Sequence, residues 1–421
     1  MIGNSRNPYH VLETMSKFSV FYFYCGSVIV GLWHIVKLIL YFSWNWIMQM
    51  RLQSSDKNML ETDDGYHDKP PKCLVDNALG RQLYVKLKEV KFHYIEAGDQ
   101  SNPLALLLHG FPDCWLGWNS QISELSKFFR VVAVDLKGFN DSDKPPKRHS
   151  YQPQQICEEL SQFIKCLGYN SCTIIGHDLG GLIGWIFAHT NPEKVDRFVT
   201  ISSPHPNIIW QNLHPQSQVN DIWLKFVQIP VLPENQFSGS DFLEKCLPHV
   251  YSVGRSKKHS KVMVDQCLTH AYKYVFNRTV DWTGPLNYYR NFPFYKIREG
   301  ETLRCPTLII TGSDDMFCKL DSIVRSAEYC DKFTLKIIDG CKHWPHQEMP
   351  EQFNKVLMKF LVGNRARHDQ TVESVDNTKG IIGMMGISRM FGAVSNTVKS
   401  GFDTVQQRTS DVLHGTMPKT S

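Results

Sequence analysis

The sequence brings no two cysteines close together. Its twelve cysteines are scattered singly, with no C-x-x-C pair and no metal-finger spacing. Metal-finger chemistry is therefore excluded, and free buried or reduced thiols are expected. A disulfide framework stays open for a luminal domain. Charge of one sign is also scarce, since the net +5 is spread thinly along the chain. There is no Lys/Arg-rich run with interleaved aromatics, which disfavours nucleic-acid binding. No motif implies a metal or an organic cofactor. No small-residue cleavage site follows the N-terminal apolar run, so a retained anchor is expected in place of a removed signal peptide. What remains is ordinary globular composition: 421 residues, 42% apolar and 21% charged. That length supports a sizeable core.

The apolar run over residues 18–36, F-S-V-F-Y-F-Y-C-G-S-V-I-V-G-L-W-H-I-V, would reach about 30 Å as a helix, one bilayer core. Trp44 and Trp46 follow it and suit an interfacial belt. Residues 18–50 therefore read as a membrane anchor with an interfacial segment, after a flank over 1–17; a buried N-terminal helix is the bland alternative. Arg6 and Lys17 before the run balance Arg51 and Lys57 after it, so the membrane side stays open. The sequons at Asn140 and Asn277 fall inside the folded region and decide little. Residues 51–80 are polar and read as a linker.

From about 81 to 363, short β-type runs alternate with helical stretches. The first two runs carry polar residues throughout and suit a sheet edge. Later ones, such as L-A-L-L-L and R-V-V-A-V, are nearly all apolar, as buried parallel strands are. The alternation predicts a doubly wound α/β sheet of eight mostly parallel strands. A helical lid over 205–300 interrupts it between the sixth and seventh strands. Core segments 81–204 and 301–363 flank that lid. The tail, 364–421, carries an apolar stripe from Ile381 to Val405 at helical spacing; lipid contact, disorder and packing on the domain are its three readings.

One stretch concentrates the chemistry: C-T-I-I-G-H-D-L-G-G, residues 172–181. A strand, a glycine-rich turn and a helix have the shape of a hydrolase nucleophile turn, which usually presents a serine. Here it presents Asp178. A carboxylate is already ionised at neutral pH and attacks saturated carbon directly. The product is an enzyme ester, whose hydrolysis needs a base elsewhere. Such a nucleophile predicts epoxides or alkyl halides as electrophiles. Chain order supplies the base late, in D-G-C-K-H-W-P-H-Q-E, where His343 is favoured over His346. T-G-S-D-D-M-F supplies an orienting acid, Asp314 or Asp315. The backbone N–H groups of Phe111 and Leu179 are the expected oxyanion donors.

The motifs H-G-F-P, D-L-K-G-F-N-D-S-D-K-P, G-H-D-L-G-G, P-L-N-Y-Y-R-N and G-C-K-H-W together resemble the epoxide hydrolases of the α/β-hydrolase fold, over about residues 85–362. With the N-terminal run, the likeness is to the membrane-anchored animal branch. The resemblance implies Asp178 as nucleophile, His343 as base and Asp315, in preference to Asp314, as orienting acid. It also implies two tyrosines over the epoxide oxygen. One matches Tyr289, with Tyr288 as its rival. The other falls on Trp223, and no tyrosine stands between Tyr169 and Tyr251. An indole N–H can hydrogen-bond an oxygen but cannot release a proton at useful pH, so Tyr289 must serve alone. His109, Pro112, Trp223 and Trp344 are candidate pocket residues. Asn140 stands where relatives have glycine, and asparagine tolerates the left-handed backbone that turn needs.

The expected function is hydrolysis of lipophilic epoxides to diols, with water as co-substrate, at a membrane and by expectation that of the endoplasmic reticulum. Two alternatives are a haloalkane-type dehalogenase and a catalytically weak hydrolase acting at a lipid surface. The intact Asp178, His343 and Asp315 set argues against the second.

Overall fold

The computed structural model describes residues 8–52, 69–76, 78–211, 221–238, 240–247, 250 and 266–363. The tail over 364–421 and most of the 51–80 linker lie outside the described residues. Near the N-terminus come β1 (Leu12–Thr14), α1 (Lys17–Leu52) and α2 (Lys72–Val75). The core continues with β2 (Arg81–Lys86), β3 (Lys91–Ala97), β4 (Leu104–Leu108), α3 (Asn119–Leu125), β5 (Arg130–Val134), α4 (Pro153–Cys166), β6 (Cys172–His177), α5 (Leu179–Thr190) and β7 (Val195–Ile201). Next come α6 (Pro206–Gln211), α7 (Asp221–Val227), α8 (Leu232–Phe237), α9 (Ser240–Cys246), α10 (Gln266–Val275), α11 (Val280–Asn291) and β8 (Tyr295–Ile297). The described chain closes with β9 (Thr307–Gly312), α12 (Leu320–Arg325), β10 (Phe333–Ile338), α13 (Pro345–Glu348) and α14 (Pro350–Leu361).

Eight strands form one sheet in the order β10-β9-β7-β6-β4-β5-β3-β2. It is parallel from β10 to β5, and β3 and β2 join antiparallel. The central strands are buried along their whole length, L-A-L-L-L in β4 and R-V-V-A-V in β5. This is the pattern of a sheet covered on both faces. The polar β3 does not sit at the edge, as its composition had led us to expect. It lies second from the edge and is buried. Its polar groups are matched inside: His93 meets Asp135 at 2.6 Å, and Glu96 accepts from Arg130 Nε at 3.0 Å.

Two features near the N-terminus have no counterpart in the sequence reading. β1 pairs antiparallel with β8, Leu12 opposite Ile297 and Thr14 opposite Tyr295. Cys73, in α2, forms a disulfide with Cys267, in α10, across 194 residues of sequence. The expectation of free thiols therefore fails at this pair.

The segment between β7 and β9 carries α6 to α11 among the described residues. Arg290, on α11, binds it together. Its guanidinium donates to the carbonyls of Val227 at 2.7 Å and Ile229 at 2.9 Å, and to Glu234 at 2.7 Å. Both side chains of the ion pair are more than nine-tenths buried. Removing one member of such a pair strands the other charge, at about 3–5 kcal/mol. Arg290→Ala should therefore lower unfolding stability by that amount in a denaturant titration. A loss under ~1 kcal/mol, as at an exposed pair, would mean that Arg290 does not hold these helices.

Candidate active site

Phe111, Asp178, Asp315 and His343 follow the carboxyl ends of parallel strands, where α/β sheets present their crevice. The turn after β6 is the sharpest element. Asp178 has φ 45° and ψ −112°, a conformation that costs on the order of 1–3 kcal/mol for a side chain with a Cβ. Its surroundings hold it there. The Asp178 N–H donates to Ile201 O at 3.0 Å, and its carbonyl accepts from Leu182 N at 2.9 Å and Ser203 Oγ at 2.8 Å. The glycine at 180 is required by space: a Cβ there would meet Leu108 O at 2.1 Å.

From this turn the carboxylate of Asp178 reaches three groups. The backbone N–H of Phe111, from the loop after β4, donates to Oδ2 at 3.0 Å. The Tyr289 hydroxyl, from α11, donates to the same oxygen at 3.4 Å. His343, from the loop after β10, brings Nε2 to 3.6 Å from Oδ1. The far side of that imidazole, Nδ1, lies 2.9 and 3.0 Å from the two oxygens of Asp315. Asp315 is itself fixed by the N–H groups of Phe317 and Cys318, each 2.9 Å from Oδ1.

The electrostatics follow from these contacts. Burial pushes the Asp178 carboxyl up, but the hydrogen bond and charge of His343, with the Phe111 N–H, outweigh it and leave it below the ordinary carboxylate range. Asp315 is held low in the same way, against its burial, by His343. Burial pushes His343 down, and the two carboxylates outweigh that and hold it well above its ordinary value. Burial first, then Asp178, keeps the Tyr289 phenol neutral. These directions favour carboxylate, imidazolium and carboxylate in the resting site, with a protonated phenol beside them.

These groups open on a cavity of about 390 Å³. Trp210, Trp223, Leu224, Phe242 and Phe317 give it apolar walls, and Pro112, Leu179 and Trp344 also line it. Trp223 stands edge-to-face on Tyr289, with centroids 4.9 Å apart.

Comparison with known proteins bears on the family and the fold. Residues 103–350 match the family described as alpha/beta hydrolase fold. The human protein "Epoxide hydrolase 4" is 35% identical over 308 residues, 71% of this chain and 84% of that one. "Epoxide hydrolase 3" of Xenopus tropicalis is 33% identical over 301 residues, 69% and 80% of the two chains. A Bacillus megaterium epoxide hydrolase, solved with an inhibitor, superposes with a TM-score of 0.58 at 29% identity, over 66% of this chain and 99% of its own. The chain belongs to the epoxide hydrolases of the α/β-hydrolase fold. It is an enzyme of epoxide hydrolysis.

Within this epoxide hydrolase, geometry separates the rival residues. Asp314 is exposed and makes no contact with His343, whereas Asp315 does. Tyr288 points away from the cavity and donates to Lys137 O at 3.0 Å. His346 is fully buried and packs on Trp118. His109 is a correction, because it does not line the cavity. It is fully buried, with Nδ1 on Gly110 O at 2.8 Å and Nε2 accepting from Leu136 N at 3.1 Å. Both ring nitrogens are used to clamp the loop, and burial lowers its pKa to about 4. Asn140 keeps the glycine-like turn at φ 38°.

Other groups had no sequence signal strong enough to name. His177 Nε2 donates to His343 O at 2.9 Å and so joins the Asp178 turn to the His343 loop. Glu348 accepts from Lys342 N at 2.9 Å and Trp344 N at 3.0 Å, gripping that loop on both sides of His343. Among the described residues, two sets of side chains bring three metal-capable atoms within 4.8 Å of one another. Asp315, Cys318 and His343 are the hydrogen-bonded His343–Asp315 pair with a neighbouring thiol. Asp113, His177 and His346 lie behind it, and Asp113 already accepts from Tyr272 Oη at 2.7 Å and Gln347 Nε2 at 2.8 Å.

The charge pattern is testable. A histidine raised by its partners contributes stability that is complete below its unfolded pKa of about 6.5 and lost as pH rises through the folded value. The lowered carboxylates contribute above about pH 4, and that stability is lost as pH falls through their folded values. By ¹⁵N NMR, His343 should remain protonated above pH 6.5, and Asp178→Asn should lower its titration midpoint. A midpoint unchanged by that substitution would refute the coupling.

Proposed function

We propose that this epoxide hydrolase opens lipophilic epoxides to vicinal diols through an ester on Asp178, while α1 holds it at a membrane. The observation that carries the reading is Asp178 itself: an ionised carboxylate, bound at 3.0 Å by the Phe111 N–H and facing Tyr289 and His343 at an apolar cavity.

The steps follow from the charges. An Asp178 oxygen attacks a ring carbon and the carbon–oxygen bond breaks. The ring oxygen takes the Tyr289 proton and leaves a phenolate. Esterification removes the negative charge beside His343, so its pKa falls. The imidazolium proton then restores Tyr289 through solvent, and His343 becomes a neutral base. It takes a proton from water, and the hydroxide attacks the ester carbonyl. The N–H groups of Phe111 and Leu179 stabilise the oxyanion. Collapse releases the diol as the new carboxyl passes its proton to the departing alkoxide. Asp178, His343 and Tyr289 end as they began, and one epoxide and one water have become one diol.

Asp315 holds the imidazole in one orientation throughout. Trp223, standing against the Tyr289 ring, shapes the wall and gives no proton. Pro112 and Trp344 complete the pocket. The aromatic walls favour apolar substrates, and the exposed face of α1 carries Phe18, Phe21, Ile29, Leu32 and Trp33 toward a lipid phase.

Three variants test the mechanism. Asp178→Asn should form no covalent adduct. His343→Gln should accumulate an adduct on the peptide that holds Asp178, read by mass spectrometry after soaking in styrene oxide. Tyr289→Phe should lose about 10²–10⁴ in kcat, the range of general acid help. Wild-type turnover in Tyr289→Phe would remove it as the proton donor, and an adduct elsewhere than Asp178 would overturn the reading.

A further inference from the structure

α1 is long and apolar enough over Lys17–Trp44 to cross a bilayer. A single crossing would leave its two flanks on opposite sides. The structure folds both flanks onto one body. Before the helix, β1 pairs with β8 in register. Met15 N donates to Phe294 O at 2.9 Å, and Arg298 N donates to Val11 O at 2.8 Å. Val11 is buried, and Glu13 pairs with Lys296 at 3.2 Å. After the helix, the chain returns to α2, tied by the Cys73–Cys267 disulfide, and enters the main sheet at β2.

The first half of α1 also rests on the same body. Phe23 and Tyr24 pack on Phe294, with centroids 5.7 and 5.6 Å apart. His34 stacks on Phe226 of α7 at 4.4 Å. Glycines at 26 and 31 admit Lys225 and Ile229, and a Cβ at either would come within 3.0 Å of those side chains. The remainder, through Trp44, exposes Leu38, Ile39, Leu40, Tyr41, Phe42 and Trp44. If that half crossed the membrane, residues 53–68 would have to cross back. They carry Asp56, Lys57, Glu61, Asp63, Asp64 and Asp68, a composition the hydrocarbon region rejects.

We infer that α1 embeds in the acyl region of one leaflet without crossing it, so that its two flanks and the catalytic core share one side of the membrane. This inference rests on the reading of α1 as a membrane anchor and adds its topology. The occupant of the exposed face is lipid acyl chain. Lys37 lies over the Trp33 ring at 5.2 Å, a place from which a lysine can reach the headgroups. A consequence concerns the site. α7 turns Phe226 to α1 and Trp223 and Leu224 to the cavity. One helix therefore separates the lipid-facing element from the substrate pocket.

The test uses the full chain in sealed microsomes, with epitope tags before Pro8, within residues 53–68 and after residue 364. Carbonate extraction first establishes embedding; protease is then added without detergent. All three tags should share one fate, either all cut or all protected. An N-terminal tag that differs from the other two means a single crossing, and a middle tag that differs means a crossing and return; either overturns the inference. A chain released by carbonate overturns the anchor reading, and this inference with it. A second measurement pairs Glu13→Cys with Lys296→Cys, which face each other across β1 and β8. Mild oxidation of the membrane-bound double variant should give a cross-linked band absent from both single variants. Its absence, with each single variant active, would mean that β1 does not sit on this body.

Discussion

The negative charge of Asp178 sets the protonation state of the groups around it. It faces His343 at 3.6 Å and, with Asp315, keeps that imidazole protonated. It also adds to the burial that keeps Tyr289 neutral. A nucleophile that remains charged until it reacts can switch its own base. In the proposed mechanism an ionised Asp178 favours the protonated form of His343, which holds back activation of water. On the proposed mechanism the ester consumes that charge, the same histidine loses one of the two carboxylates that support its proton, and it can then act. The order of the two half-reactions thus follows from one ion pair and needs no moving part.

That arrangement depends on a strained backbone. A residue with a Cβ at φ 45° persists only where its neighbours over-determine it. Here the carbonyl of Ile201, the amide of Leu182 and the hydroxyl of Ser203 bind the Asp178 backbone from three directions. The base loop is fixed to the same turn through His177 and is gripped from its other side by Glu348. Asp178 and His343 follow strands far apart in sequence, yet they share one hydrogen-bonded frame.

The sequence exposed this site because its parts are local and chemically unusual. A glycine-bracketed aspartate after an apolar strand needs no tertiary knowledge to notice, and strand-end order leads from it to His343 and Asp315. The buried strands were legible because a sheet covered on both faces requires unbroken apolar runs. β3 was misjudged because its polar residues are satisfied by partners on other strands, His93 by Asp135 and Glu96 by Arg130, and such pairings leave no periodic mark. β1 is three residues long and its partner lies some 280 residues on, so nothing local could announce it. The Cys73–Cys267 bridge is silent for the same reason. His109 was misassigned because a conspicuous histidine beside a catalytic loop looks like chemistry when it is a clamp.

Trp223 ties these levels together. Where the resembled family has a second tyrosine, this chain has an indole that stands edge-on against the ring of Tyr289. The indole adds a large apolar face to the wall of the cavity and, on the proposed mechanism, leaves Tyr289 as the proton donor. It also sits on α7, which Arg290 fastens to α11 through the carbonyl of Val227. The remaining acid and the residue replacing its partner are therefore held in register by one buried guanidinium. A site with a single phenol tolerates less freedom in that phenol than a site with two. The buried Arg290–Glu234 pair, costly to desolvate, fastens α7 and α11 beside the phenol on which the proposed chemistry relies.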